Sequence, residues 1–532
     1  MLAILALLPI ILVIVLMGFF SWSAKRAMPL AALISFIIGL VVWKMPLRQL
    51  GAAIIVGSLT ALDVLLIVFG ALCLLAVLKK SNSLDIILSD FKQLTHDSRI
   101  HILLVGWLFV AFLEAVAGFG TPAAITAPLL FVLGVPILGA VAIPLMFEAI
   151  PVTFGAVGVP ITIGIASGIP SLTNIALQKI TWYAALLHGI VGLVYPLLIL
   201  GFATRFFSEE KSWKIGFGAW KFALLTSISF LIPYLFSAYF LGPELPSVFG
   251  SIVAIGVSLL AVQKGWFLPK KTWSFKQGFK TKKLTQHSFN YKEQLRAWGL
   301  YIIIALILII TRLPFFKIGL WLQKCTIGVS NVLGTNLSYS LAILYSPGTL
   351  FFFVAIFSGL FLFKLKPKIV AHELFHVIKK LLPIAIVLLF TLVLVKILVH
   401  SDINASGLQS MLLVPAQYLA QAVGKFWFFF APFVGSFGAF ISGSNTISNL
   451  LFGSFQFQVA SSVGVGTLLI LALQAVGGGI GNMICIHNIV AACSTVSACG
   501  NEGKIFRVTI IPSLIYAAFI GLIGLLIVFF VL

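Results

Sequence analysis

The chain has 532 residues, 61% hydrophobic and 9% charged, with a mean hydropathy of +1.17. Soluble domains carry about 25% charged residues, so this composition excludes a water-soluble globular protein. The formal charge of +21 does not point to nucleic acid. Its Lys and Arg fall in short clusters between apolar runs: Lys25/Arg26, Lys79/Lys80, Lys264–Arg296, Lys364–Lys368 with Lys379/Lys380, and Lys504/Arg507. Such clusters mark cytoplasmic loops of a membrane protein, and the partner they imply is the lipid bilayer.

A hydrocarbon core about 30 Å thick takes about 20 apolar residues per helix. The chain therefore reads as an all-α polytopic membrane protein of roughly 12–14 spans in two repeat-related halves, with broken helices or re-entrant hairpins. In chain order the candidate spans fall near 2–20, 29–43, 52–78, 100–116, 124–150, 182–204, 218–241, 246–263, 297–311, 345–363, 382–399, 427–441, 463–490 and 508–531. The first has no basic n-region and carries its charges after the apolar run, which predicts an uncleaved span with its N-terminus outside. Threading the basic clusters to one side also puts the C-terminus outside, with Lys44 and Arg48 on the opposite side. The hydrophilic segment 264–296 is expected to be a basic cytoplasmic loop between an N-terminal membrane half, 1–263, and a C-terminal half, 297–532. The five cysteines lack CxxC spacing and predict neither a disulfide framework nor a metal site.

Two apolar stretches are interrupted by small polar runs, AGFGTPA at Ala117–Ala123 and SGSNTISN at Ser442–Asn449. Hydrocarbon tolerates broken helix only where protein or a water-filled cavity satisfies the freed backbone groups, and a pair of such breaks in corresponding places is the best sequence pointer to a transporter's site. The amides that open the next half-helix are unpaired and carry partial positive charge, which suits a small carboxylate. Gly118, Gly120, Gly443 and Pro122 permit the breaks; Thr121, Ser442, Ser444, Asn445, Thr446 and Asn449 supply polar groups. The plainer reading is close helix packing through small residues, which does not call for so many Ser, Thr and Asn in one octet. A second Gly-rich stretch follows each break, at Glu148–Pro160 and Gln474–Asn488. Setting Gly118 beside Gly443 aligns Thr121 with Thr446, and nearly the same offset pairs Glu148 with Gln474.

Asp63, Glu114 and Glu148 lie within apolar runs. A central carboxylate costs about 2.5–3.5 kcal/mol on insertion scales and is a functional hypothesis by default. Glu114, one turn before Gly118, and Glu148 are candidate proton carriers; the alternative is a hydrogen-bonded structural carboxyl. His188 and His487 are candidate proton relays, since imidazole titrates near neutrality, or structural residues; His487 lies beside the second Gly-rich stretch. His372-Glu373-Leu374-Phe375-His376 matches the H-E-x-x-H spacing of zinc proteases. It is bracketed by lysines, which reads as a cytoplasmic surface helix, and it lacks a convincing third ligand, so an intramembrane metalloprotease is a remote alternative. No phosphate loop or dinucleotide fingerprint occurs; neither cofactor nor enzyme activity is expected, and transport would run on an ion gradient.

The segments FLEAVAGFGTPAAITAPLL (Phe112–Leu130), PVTFGAVGVPI (Pro151–Ile161), SGSNTISNLLFGSFQ (Ser442–Gln456), QAVGGGIGNMI (Gln474–Ile484) and GNEGKIFR (Gly500–Arg507) resemble, in order and over most of the length, the bacterial L-lactate permease family. The resemblance implies a proton symporter of the bacterial inner membrane that imports lactate or glycolate. On it, Glu114, Gly118, Gly120, Thr121 and Pro122 match the first family motif, and Ser442, Gly443, Ser444, Thr446, Ser448 and Asn449 the second. The sequence departs from the family's usual pattern at Glu148, Asn445 and Asn482, where Asn, Asp and Lys are usual. A carrier of the same architecture for another organic anion, coupled to sodium, is the alternative.

Overall fold

A computed structural model describes residues 2–16, 20, 22–83, 86, 94–116, 118, 120–166, 169, 172–275, 291–312, 317–411, 413–464 and 466–530. Ala117, Phe119, the Asp63 side chain and positions 276–290 of the basic loop lie outside the described residues. Six described helices are long and apolar enough to cross a membrane: Ser98–Ala115, Trp220–Phe240, Pro246–Lys264, Gln421–Ser442, Thr467–Ile484 and Glu502–Phe530. Asn174–Gly192 and Tyr195–Phe206 form a seventh span bent by 46°, and several shorter apolar helices, among them Thr121–Val132 and Ile137–Phe147, accompany them. The protein is thus all-α and polytopic. Its centre is set by burial: Ser98–Ala115 and Thr467–Ile484 are each 89% buried, against 39% for Glu502–Phe530. Those two central segments both run into backbone breaks.

Local chemistry explains where the apolar runs divide. The expected span 124–150 is two helices, Thr121–Val132 and Ile137–Phe147, packed on each other across a turn. Gly134 adopts φ +94° there, and Pro136 opens the second helix in extended conformation. Hydropathy does not see this turn because Leu, Val and Pro build it. The expected span 463–490 divides likewise, into Thr467–Gly481, a tight turn at Asn482–Ile484 and Ile486–Thr495. His372 and His376 do not form a separate surface helix: they sit in the first turns of the 33-residue helix Pro367–Val399. Both imidazoles are exposed, and Glu373 pairs with Lys80 at 3.5 Å. A small antiparallel hairpin, Thr326–Val329 with Tyr339–Ala342, is the one sheet among the described residues and had no counterpart in the sequence reading.

The Lys80–Glu373 pair joins the Lys79/Lys80 cluster to the segment that carries Lys364–Lys368 and Lys379/Lys380. Arg99 binds Asp97 at 2.5 Å and donates to the Ile215 and Lys271 carbonyls, which brings the base of the Ser98–Ala115 span to the start of the basic loop.

Each half repeats one plan: a helix, a break at a left-handed glycine, a helix, a turn, a helix, and a second break. The two left-handed glycines are Gly118 (φ +62°) and Gly443 (φ +73°). The second breaks begin at Glu148 and Asn482, which occupy equivalent positions as C-caps of Ile137–Phe147 and Thr467–Gly481. Glu148 therefore corresponds to Asn482, and the sequence pairing with Gln474 is wrong by two helical turns. The helices between break and cap differ in length, 12 and 11 residues in the first half against 19 and 15 in the second, so a constant offset loses register. The halves interlock: the Thr121 helix packs on the Ile486 helix, and the Asn445 helix (Asn445–Val463) packs on the wide turns of Pro160–Ile165.

Gln474 instead anchors a buried amide network. Trp427 Nε1 donates to Gln456 Oε1 (2.6 Å), Gln456 Nε2 to Gln474 Oε1 (3.1 Å), and Gln474 Nε2 to Ser448 Oγ (3.1 Å) and Asn449 Oδ1 (3.3 Å). Leaving a buried polar group unpaired costs about 1–3 kcal/mol. Gln474→Leu is accordingly expected to lower the melting midpoint of the detergent-purified protein by several degrees; an unchanged midpoint would show that the network contributes nothing.

Candidate functional site

The first break follows Val110–Val116. Gly118 N–H still bonds the Glu114 carbonyl at 3.1 Å, and Gly120, at φ +72°, is the N-cap of Thr121–Val132. The Thr121 hydroxyl donates to the Gly118 carbonyl at 2.9 Å, closing the turn on itself. Pro122 stands in the first helical turn, where its missing N–H removes no intrahelical bond. The free donor of this half-helix, Ala123 N–H, bonds Glu148 Oε1 at 2.9 Å. A carboxylate thus sits on the half-helix N-terminus as the dipole favours, and it belongs to the protein.

In the second break, Gly443 ends the Trp427–Ser442 helix and Ser444 caps the Asn445 helix, its hydroxyl accepting from Ile447 N–H. The Ser442 hydroxyl returns to the Gly438 carbonyl at 2.7 Å. His487 Nε2 donates to the Gly443 carbonyl at 3.0 Å, and Cys485 Sγ lies 3.4 Å from its Nδ1. The imidazole therefore satisfies a carbonyl freed by the break. Asn449 is equally committed, donating from Nδ2 to the Pro160 carbonyl at 2.9 Å across the two halves.

Between the breaks lies a cavity of about 260 Å³, little of it wide enough for a water molecule. It is lined by Glu114, Gly118, Val152, Gly155, Ala156, Pro160, Gly443, Ser444, Asn445, Thr446 and Asn482. Of the sequence candidates, Glu114, Gly118, Ser444, Asn445 and Thr446 meet at this cavity. Gly120, Thr121, Ser442, Asn449, Glu148 and His487 are not among its lining residues. Glu114 is fully buried and neither carboxyl oxygen has a hydrogen-bond partner; Asn445 Oδ1 and Asn482 Oδ1 are also unpartnered. Glu148 is likewise fully buried. Among the described residues, seven buried side-chain N or O atoms without a hydrogen-bond partner belong to Glu114, Glu148, Asn445, Asn482 and Asn488. Native interiors leave few such atoms, so this concentration singles the cavity out as the candidate site.

Asn488, Thr153 and Asn482 were not among the sequence candidates. A side chain at Gly120 would overlap Asn488 Oδ1, so the amide lies directly on the first half-helix. Thr153 Oγ1 shares a 2.8 Å hydrogen bond with His188 Nε2, whose Nδ1 meets Tyr516 OH at 2.7 Å. The same hydroxyl donates to the Ala475 carbonyl (3.4 Å), which also accepts from Asn445 Nδ2 at 3.0 Å. His188 is thus a structural link reaching the cavity wall. Thr153→Val is expected to weaken apparent substrate affinity about fivefold or more, the scale of one neutral hydrogen bond, with Thr153→Ser close to the parent. Concentration-dependent uptake checks this, and equal values for Val and Ser would contradict it.

The family profile described as L-lactate permease matches residues 2–531. The L-lactate permease of Bacillus subtilis strain 168 is 31% identical, with 96% of this chain and 93% of that protein covered. The L-lactate permease of Escherichia coli K12 is 29% identical, covering 94% and 90%. The glycolate permease of the same strain is 29% identical, covering 98% and 95%.

Proposed function

The chain belongs to the L-lactate permease family, a multi-pass protein of the bacterial inner membrane, and on that footing we propose that it is a secondary carrier, not an enzyme, importing lactate or glycolate by proton symport. The observation that carries the site assignment is the cluster of unpartnered polar atoms around the second break. The substrate carboxylate accepts from the amides that open the Asn445 helix and from the Ser444 and Thr446 hydroxyls. Its 2-hydroxyl donates to Asn445 Oδ1 or Asn482 Oδ1. Glu114 holds the co-transported proton, since an unpartnered carboxyl in hydrocarbon favours a proton or a cation at its oxygens. Glu148 and His487, outside the lining, flank this step. The cavity is too tight for a molecule of several heavy atoms, so loading requires the half-helix pairs to part, and alternating access follows from their motion against each other.

The test is uptake of labelled L-lactate and glycolate into proteoliposomes under an imposed pH gradient. Accumulation that collapses with a protonophore, and survives replacement of sodium by choline, is expected. Sodium-dependent accumulation would assign the coupling ion differently. No gradient-driven accumulation of any small 2-hydroxy acid would refute the function. In the same assay, Ser444→Ala and Thr446→Ala are each expected to raise the half-saturating concentration about tenfold, because a hydrogen bond to a charged group contributes about 1.5–3 kcal/mol.

A further inference from the structure

The cavity between the breaks has two chemically different sides. Its polar lining comes from Glu114, Asn482 and the opening of the Asn445 helix. The remaining side chains, Val152, Ala156 and Pro160, are apolar and come from one short stretch in the second break of the first half. Val152 stands in the tight turn Pro151–Phe154, Ala156 in the short helix Gly155–Val159, and Pro160 opens the wide turn that follows. Asn449 Nδ2 holds the Pro160 carbonyl at 2.9 Å, which fixes this apolar side against the Asn445 helix.

Ala156 is the unusual member. Its φ is +44°, a left-handed conformation in which an L-residue other than glycine is strained. Gly118 and Gly443 adopt such conformations at the same cavity without a side chain. A methyl group kept at a strained position points to a use for it. A Cβ built on Gly118 would lie 3.0 Å from the Ala156 Cβ, so the alanine methyl closes the cavity where the first break has no side chain of its own.

We propose that Val152 and Ala156 are specificity-determining residues: they form the apolar wall against the C2 substituent of a 2-hydroxymonocarboxylate and limit it to the size of a methyl group. The inference rests on the proposed transport of such acids and deepens it. With the carboxylate at Ser444 and Thr446 and the 2-hydroxyl at Asn445 or Asn482, the C2 substituent is the part of the substrate without a polar partner. Val152, Ala156 and Pro160 are the apolar side chains left to meet it. The wall is built from neighbouring residues of one segment, so its composition does not depend on how far the half-helix pairs part. One methylene more or less in an apolar pocket changes discrimination about 10- to 200-fold.

Glycolate, L-lactate and L-2-hydroxybutyrate carry hydrogen, methyl and ethyl at C2 and make a graded set of probes. The measurement is thermal stabilisation of the detergent-purified protein by each acid, titrated to half effect. In the parent, L-2-hydroxybutyrate is expected to be about tenfold weaker than L-lactate, or more. Val152→Ala and Ala156→Gly each enlarge the wall and are expected to narrow that ratio about fivefold or more; glycine also suits the left-handed backbone at 156. Val152→Leu is expected to shift preference from L-lactate toward glycolate by a similar factor. A role in packing alone would weaken all three acids together. An unchanged ratio in any of these variants therefore overturns the proposal, as does an equal loss for all three acids. A parent that binds L-2-hydroxybutyrate as well as L-lactate overturns it too. Should the Val152 variants not fold, Ala156→Gly decides: a narrowed ratio upholds the inference and an unchanged one overturns it. A parent that responds to neither L-lactate nor glycolate refutes the transport reading itself, a failure distinct from an unchanged ratio.

Discussion

Glu114→Gln is expected to abolish concentrative uptake while leaving exchange of labelled for unlabelled substrate measurable. Glu114 is fully buried, and neither of its carboxyl oxygens has a partner. Glutamine keeps the volume and one acceptor but carries no exchangeable acid proton. One pH unit is worth about 1.4 kcal/mol per proton, so a one-proton carrier accumulates lactate about tenfold under that gradient. The variant is expected to stop near equal concentrations on both sides. Normal accumulation in Glu114→Gln would move the proton to Glu148 or His487.

The second large effect is expected at Gly443. Its φ of +73° suits glycine, and a Cβ there would fall 1.0 Å from His487 Cε1. A left-handed non-glycine residue costs about 1–2 kcal/mol, and overpacking a well-filled site about 1–3 kcal/mol. Gly443→Ala is therefore expected to lower the melting midpoint by several degrees and to abolish uptake. Removing the obstructing ring in Gly443→Ala/His487→Ala should recover part of the stability, because contacting residues are not additive. A Gly443→Ala protein that melts and transports like the parent would show that the imidazole does not lie on this glycine.

The sequence announced the breaks because their chemistry is local. Glycines at 118, 120 and 443 with adjacent Pro, Ser and Thr have little other use inside hydrocarbon. The same holds for Glu114, a carboxyl one turn from a break. The partners that complete the site were not legible, since they arrive from distant parts of the chain. Nothing near Asn449 predicts that it grips the Pro160 carbonyl, nor does anything near Glu148 predict that it lies on the Ala123 amide. Asn482 stood out only as a departure from the family's pattern and Asn488 only as part of a Gly-rich run; the cavity lining places the first, and the packing of the Thr121 helix on the Ile486 helix brings the second to Gly120. The pairing of Glu148 with Gln474 failed for a similar reason: a constant offset cannot register a cap whose flanking helices differ in length between the halves.

The central claim is that a small organic anion is held at the opening of the Asn445 helix, where Thr446 lines the cavity. Ligand protection of a cysteine tests it directly. With the exposed Cys325 and Cys499 replaced by serine, Thr446→Cys would be titrated with a small thiol reagent, with or without L-lactate, beside an exposed control, Ser461→Cys. The account predicts that millimolar L-lactate slows modification at 446 several-fold and leaves 461 unaffected. Identical rates at 446 with and without lactate or glycolate, in protein that still accumulates them, would place the anion elsewhere and contradict the account.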